Sequence, residues 1–190
     1  MILTTEQLER MIPYASDGNL RKYYMPLNET LEAYEIYTPN RIAAFIAQIT
    51  HESGSLRYVR EIADGRAYEY RKDLGNLEED ALNIAHSKGT TTGKFYKGRG
   101  LIQCTGYYNY LACGKDLNID LIHNPELLEK PKWAARSAGW FWDKNNLNLL
   151  ADREEFTSIT KRINGGYNGI EKRQKYYKHN LNILQETFKS

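Results

Sequence analysis

The segment Pro39–Ser53 constrains the fold of this chain more than any other stretch. Ile42, Phe45, Ile46 and Ile49 recur at helical spacing, so the segment reads as an amphipathic helix with one apolar face. Phe45, Ile49 and Glu52 step by four and then three residues, which puts a carboxyl on that same face. Gly54 supplies the stop. A carboxyl on an apolar face, near the negative end of a helix dipole, is expected to hold its proton more tightly than one in water. Such a group can hand a proton to a leaving oxygen. The plainer alternative is a helix-terminal Glu that bends out to solvent.

The rest of the chain reads as mainly helical. Thr4–Gln7 fits a capping box, followed by Leu8, Met11 and Ile12 on one face. Pro26 is placed to open a short helix with Leu27, Leu31 and Tyr34 inward. Helices are expected near Leu77–Ser87, Gly106–Cys113, Pro131–Asn145 and Asp152–Ile163. A last helix, about Ile170–Phe188, carries Tyr177, Leu181, Leu184 and Phe188 as its inward stripe. Residues 54–100 lack sustained periodicity and hold seven glycines. A long glycine-rich connection inside a compact domain is usually functional. No internal repeat or interdomain linker stands out, so residues 1–190 read as one domain without a second module.

Composition excludes more than it selects. Charged residues make up 26% and hydrophobic residues 41%, ordinary for a globular protein. The net charge of +2 is too weak to argue for nucleic acid. No apolar run approaches the ~20 residues of a membrane span. The N-terminal run has no basic region followed by an apolar stretch, so no signal peptide is expected. With 15 tyrosines against 5 phenylalanines, many half-buried rings with polar tips are expected, in the core and against polar ligands such as sugars. Trp133, Trp140 and Trp142 fall at mixed helical phases, so packing explains most of them better than sugar stacking. Cys104 and Cys113 are too few for a disulfide framework and are expected reduced.

If Glu52 is an acid, glycoside hydrolysis is the chemistry that uses it with a second carboxyl across the scissile bond. Glu61, Asp64 and Glu69 lie shortly downstream, and spacing does not choose among them. His51-Glu52 opens like a zinc-protease motif, but position 55 is serine rather than histidine, so no metal site is expected. Gly98-Arg99-Gly100 lacks the ending of a phosphate loop and reads as a tight backbone passage, with Arg99 aimed at a carboxylate or ligand.

Four segments in order then resemble glycoside hydrolase family 19. They are His51-Glu52-Ser53-Gly54 with Glu61 nine residues after the acid, Tyr68–Asn76, Tyr96–Gly106, and Ile163-Asn164-Gly165-Gly166. The resemblance spans about residues 40–180 and is closest to the phage and prophage endolysins of that family. It implies a lysozyme-like, mainly α fold, an inverting mechanism and no cofactor. It implies that Glu52 is the general acid, Glu61 the general base and Thr105 the residue that holds the attacking water. Gln103, Asn109 and Asn164 would line the sugar cleft, and Arg173 would lie near the acid; Arg99, from the Gly98-Arg99-Gly100 reading above, is counted with the substrate-binding residues. Cys104 stands where an aliphatic residue is common, and Tyr70 where glycine is common.

The function expected on this basis is an endolysin that cleaves β-1,4 bonds of peptidoglycan glycan strands, muramidase-type. It would be a monomer that accumulates in a host bacterial cytoplasm and reaches the wall after holin-type release. Rival readings are a chitinase, a lytic transglycosylase, and an envelope-binding protein without catalysis. The C-terminal segment, with Lys172, Arg173, Lys175, Lys178 and Lys189 against Glu171 and Glu186, raises the further expectation of contact with anionic envelope. A docked helix with a solvated basic face is the plainer alternative.

Overall fold

The computed structural model describes residues 1–187. Ten α-helices carry the fold among them: α1 Thr5–Met11, α2 Asp17–Ala33, α3 Pro39–Glu52, α4 Glu79–Ser87, α5 Thr92–Phe95, α6 Tyr107–Leu117, α7 Pro131–Lys144, α8 Leu147–Asp152, α9 Phe156–Asn164 and α10 Ile170–Thr187. The fold is mainly α, as the sequence led one to expect.

α3 is the central helix. Thr38 caps it by accepting from the Arg41 amide, and Pro39 occupies its first turn, where a missing N–H costs nothing. Every residue from Ile42 to Thr50 is buried, so the apolar face expected from the sequence widens to a helix covered on all sides. α10 packs along it, with α8 on another flank. Phe45 meets Trp142 of α7 edge-on, ring centroids 5.3 Å apart, and the Trp142 indole donates to Asn148 Oδ1. α2 and α7 form a second pair, and α1 closes onto α10.

A smaller core lies under the glycine-rich connection. Tyr96, Tyr107 and Tyr110 pack ring to ring there, beside Cys104, Cys113 and Trp140. The tyrosine excess is therefore partly structural: Tyr96 hands its hydroxyl hydrogen to the Ile122 carbonyl and Tyr110 to that of Lys97. Both cysteines are buried free thiols.

Three expectations are corrected. Pro26 does not open a helix; it sits inside α2, which starts where Ser16 accepts from the Asn19 amide. The buried stripe Leu20, Tyr23, Leu27, Leu31 runs straight through it and outweighs the missing N–H. The helix expected from Asp152 to Ile163 is α9 and starts only at Phe156, because Asp152 ends a separate helix, α8, and Glu154 takes a left-handed turn between them. On α10 the buried stripe is Arg173, Tyr176, Asn180, Ile183 and Leu184, with Tyr177 and Leu181 only half-buried. Phe188 and Lys189 lie outside the described residues. Because Arg173 turns into the core, it contributes nothing to a basic outer face; Lys172, Lys175 and Lys178 remain exposed there.

Candidate active site

Glu52 is the last residue of α3, and the turn that follows fixes where its carboxyl can go. Ser53 donates its hydroxyl hydrogen to Ile49 O and accepts from the Leu56 amide. Gly54, Ser55 and Leu56 all take left-handed backbone conformations, with φ of 57°, 60° and 64°. For the two residues that carry a side chain this costs roughly 1–2 kcal/mol each. Strain of this kind is typically held where a loop must be aimed. The amides of Arg57 and Tyr58 both close onto Ser53 O, locking the turn.

Arg173 of α10 arrives at Glu52 from behind. Its Nη2 lies 2.5 Å from Glu52 Oε1, a charge contact rather than an aligned hydrogen bond. The Arg173 side chain is 1% exposed and that of Glu52 21%, so the cation is sealed in protein while the carboxyl keeps an open side. Arg173 Nη1 donates to Gln48 Oε1 at 2.6 Å and Nε to Asn168 O at 3.0 Å. Gln48 in turn donates to Thr160 Oγ1. A buried chain thus joins α3, α9 and α10 behind the carboxyl.

His51 flanks this pair. Burial first, and then the Arg173 cation, push its imidazole below the usual 6.5, with Glu52 opposing. Its ring fills the space beside Gly169, where an added Cβ would come within 2.3 Å of Cε1.

Glu61 is placed by a short run of extended backbone. Single bridges join Arg60 to Arg99 and Arg99 to Cys104, setting three segments side by side. The Glu61 amide donates to Gly98 O, and the Gly98 amide returns a bond to Glu61 Oε2 at 2.9 Å. Glu61 Oε1 is buried without a hydrogen-bond partner in the protein. An added Cβ on Gly98 would stand 2.6 Å from Gln103 Oε1 and 2.7 Å from Glu61 Oε2, so both groups crowd the bare α-carbon. Along the third segment, Gln103 and Thr105 share one face while Cys104 turns into the small core. Asn109, one turn into α6, donates to Thr105 O at 2.8 Å.

Glu61, Gln103, Thr105 and Asn109 therefore come together, and Glu52 with Arg173 forms a second group. Of the other downstream acids, Asp64 pairs with Arg66 at the surface. Asn164 ends α9 exposed, its Oδ1 accepting from the Asn168 amide, two steps along the chain of bonds from Arg173. Arg99 departs from its expected substrate contact. Its guanidinium is buried, and it donates to Glu129 Oε1, to Phe95 O and to the Tyr110 hydroxyl, so it ties the loop to the core instead.

Two residues, the ends of the quoted segment Tyr68–Asn76, were given no role from the sequence. Tyr68 lies close enough to Glu61 that burial first, then the negative charge of Glu61 and a hydrogen bond to its carboxylate, raise its phenol above the usual 10. Asn76, fully buried, donates to Tyr68 O and accepts from the Tyr107 amide, clamping that loop to the start of α6. The family-like segment that ends at Asn76 marked the place without naming the clamp. A hollow of about 470 Å3 over α6 and residues 118–122 is roomier, but it brings no pair of carboxyls together.

The Chitinase class I family model of glycoside hydrolase family 19 matches residues 33–150, a span that holds Glu52, Glu61, Gln103, Thr105 and Asn109 but neither Asn164 nor Arg173. An Arabidopsis thaliana endochitinase is 37% identical over 148 residues, 77% of this chain and 47% of that protein. A glycosyl hydrolase family 19 domain-containing protein of Haemophilus influenzae is 27% identical over 199 residues, covering 94% of this chain and 95% of its own length. Chitinase C of Streptomyces griseus superposes with a TM-score of 0.75 at 23% identity, over 97% of this chain and 77% of that one. A class IV chitinase of Zea mays gives 0.72 at 23%, over 97% and 93%. These two solved structures speak to the fold alone. The chain spans about half the length of the plant endochitinases it matches.

Proposed function

From membership of this chain in glycoside hydrolase family 19, we propose that it hydrolyses β-1,4 bonds in polymers of N-acetylhexosamine by single displacement. The observation that carries this reading is the contrast between its two carboxyls. Glu52 sits at a helix end with a buried cation behind it and an open side in front. Glu61 is pinned through one oxygen by the Gly98 amide, which leaves Oε1 without a protein partner.

In this mechanism Glu52 protonates the departing glycosidic oxygen. Glu61 Oε1 takes a proton from a water that attacks the anomeric carbon from the opposite face. Thr105 can both accept from and donate to that water. Gln103 and Asn109 present amides to sugar hydroxyls and acetamido groups. Arg173 positions Glu52 and touches no sugar. No step calls for a metal or an organic cofactor.

Two polymers fit this chemistry. Chitin is the first reading, because several relatives are described as endochitinases. Peptidoglycan, as an endolysin-type muramidase would cleave it, is the second; Arg57, Arg60 and Lys97, which line the hollow beside Glu61, favour it. Mass spectrometry of digests of both polymers, reduced with borohydride, tests the proposal. New reducing ends made by wild type and not by Glu52→Gln support it. Anhydro ends would replace hydrolysis with a transglycosylase. No cleavage of either polymer would overturn the enzymatic reading and leave a binding protein.

A further inference from the structure

Where the end of α2 meets α6 and α7, a hollow of about 360 Å3 opens, lined among others by Tyr34, Asp116, Leu117, Lys132, Trp133 and Arg136. It shares no residue with the hollow beside Glu61. Its aromatic walls are held in place. Gly139 leaves room on α7 for the Tyr34 ring: an added Cβ there would stand 2.3 Å from Tyr34 Cδ2. The Tyr34 amide closes α2 by donating to Thr30 O, and Tyr34 O accepts from Asn148 Nδ2 at 2.9 Å. Trp140 and Trp142 of α7 are buried, whereas Trp133, in its first turn, is only half-buried.

The polar groups around these rings are unspent. The Tyr34 hydroxyl and the Trp133 indole N–H make no hydrogen bond among the described residues. Arg136 lies over the Tyr34 ring and Lys132 over that of Trp133, the cations 6.0 and 4.9 Å from the centroids. Neither cation pairs with a carboxylate among the described residues. Asp116 accepts from the Trp140 indole through Oδ2 at 2.7 Å, which leaves Oδ1 to a ligand.

This mixture of groups selects a class of guest. A phosphate or carboxylate would meet Asp116 as well as the cations. A purely apolar guest would bury the charges without pairing them. A pyranose suits the whole set. Its C–H face lies flat on an aromatic ring, and its hydroxyls both donate and accept, so they pair with carboxylate and guanidinium alike. An acetamido carbonyl adds an acceptor for the indole N–H. Lys132 is exposed, and its flexible stem can yield the Trp133 face to a sugar.

We propose that this hollow is a second saccharide site, which holds N-acetylhexosamine residues of the polymer away from the scissile bond. The choice of sugar rests on the glycan-hydrolase reading above. A second hold keeps the enzyme on a solid polymer, where neighbouring strands fill it while the cleft works, and adds nothing on a short soluble chain.

Nuclear magnetic resonance on Glu52→Gln reads binding directly. The amides of Tyr34, Asp116 and Trp133 are expected to shift with chitotetraose and to stay in place with inorganic phosphate. Kinetics of Trp133→Leu and Arg136→Gln read the consequence. Both variants are expected to cleave a soluble tetrasaccharide within about twofold of wild type, and the insoluble polymer about fivefold more slowly. Melting curves check the fold; if Trp133→Leu melts low, Arg136→Gln, which breaks no ion pair, decides. Amides that do not move, or wild-type rates on the solid polymer, overturn the site. Shifts with phosphate alone would replace it with an anion site. Shifts with chitotetraose but no cleavage of any glycan by wild type sustain the hollow and overturn the hydrolase. Cleavage without those shifts does the reverse.

Discussion

Arg173 reaches Glu52 across the interface of α10 and α3, Nη2 to Oε1 at 2.5 Å, with its guanidinium sealed from solvent. Breaking such a pair is expensive, most of all when the partner left behind is sealed from water. Arg173→Gln is therefore expected to destabilise the fold by about 3 kcal/mol, at the low end for a broken buried pair because Glu52 keeps an open side. For a chain of this size that lowers Tm by roughly 6–12 °C. Calorimetric melting checks it. A positioning role adds that kcat falls more than KM rises in the folded variant at 20 °C. A melting shift with unchanged kcat would make Arg173 structural only.

Glu61 has one oxygen held by the Gly98 amide, while Oε1 is buried with no hydrogen bond of its own. Glu61→Gln keeps the acceptor for the Gly98 amide and removes the base. The variant is expected to melt within about 1 kcal/mol of wild type and to lose roughly 10²–10⁴ in kcat. Thr105→Val should lose part of this and Thr105→Ser little, since serine keeps the hydroxyl. Steady-state kinetics on a soluble oligosaccharide read all three. Full activity in Glu61→Gln would end the two-carboxyl account.

Gly98 is the point where Glu61 and Gln103 approach one another. A methyl group there meets Gln103 Oε1 and Glu61 Oε2 inside 3 Å. Both contacts are to side-chain ends, which can swing away, so Gly98→Ala is expected to fold. The carboxylate would then leave the Gly98 amide, and a shift of about 1 Å in a reacting group costs on the order of 10²-fold. An activity loss larger than that of Gln103→Ala, with a melting temperature near wild type, is the expected result. Wild-type activity in Gly98→Ala would show that the placement of Glu61 has slack.

What was legible in the sequence follows the range of the forces involved. Glu52 could be placed because helical periodicity is local: Phe45, Ile49 and the carboxyl share a face by geometry alone. The capping box at Thr4 was legible for the same reason, and both of its bonds are present. Glu61 could not be chosen over Asp64 or Glu69 from spacing, because its partner Gly98 is 37 residues away across bridged backbone. Only the family resemblance pointed to it. Arg173 likewise depends on α10 docking against α3, a contact of residues 125 apart in the case of Gln48. Arg99 was read as reaching for a carboxylate or ligand; the carboxylate is Glu129, half-buried beside Arg60 and Glu61, 30 residues along the chain. Pro26 misled because its local preference for a first turn yielded to a long buried stripe.

His51 gives the fold a pH dependence of its own. Burial, and then Arg173, hold its imidazole below 6.5, while the unfolded chain keeps the ordinary value. Between the two values the unfolded state binds more protons, so stability rises with pH across that window. The contribution is complete above about 6.5 and is lost as pH falls toward the lowered folded value. Carboxylates held low by cations, such as Asp152 under the Arg41 hydrogen bonds, titrate below 3.8 and stay out of this range. Melting temperature is therefore expected to decline from pH 7 to pH 5, and His51→Gln, which cannot be protonated there, to show a flatter profile. Direct titration of the ring by NMR reads the same quantity. A ring that titrates at or above 6.5 would mean that the imidazole finds its charge well tolerated beside Gly169 and Arg173, and that the acid sensitivity of the fold arises elsewhere.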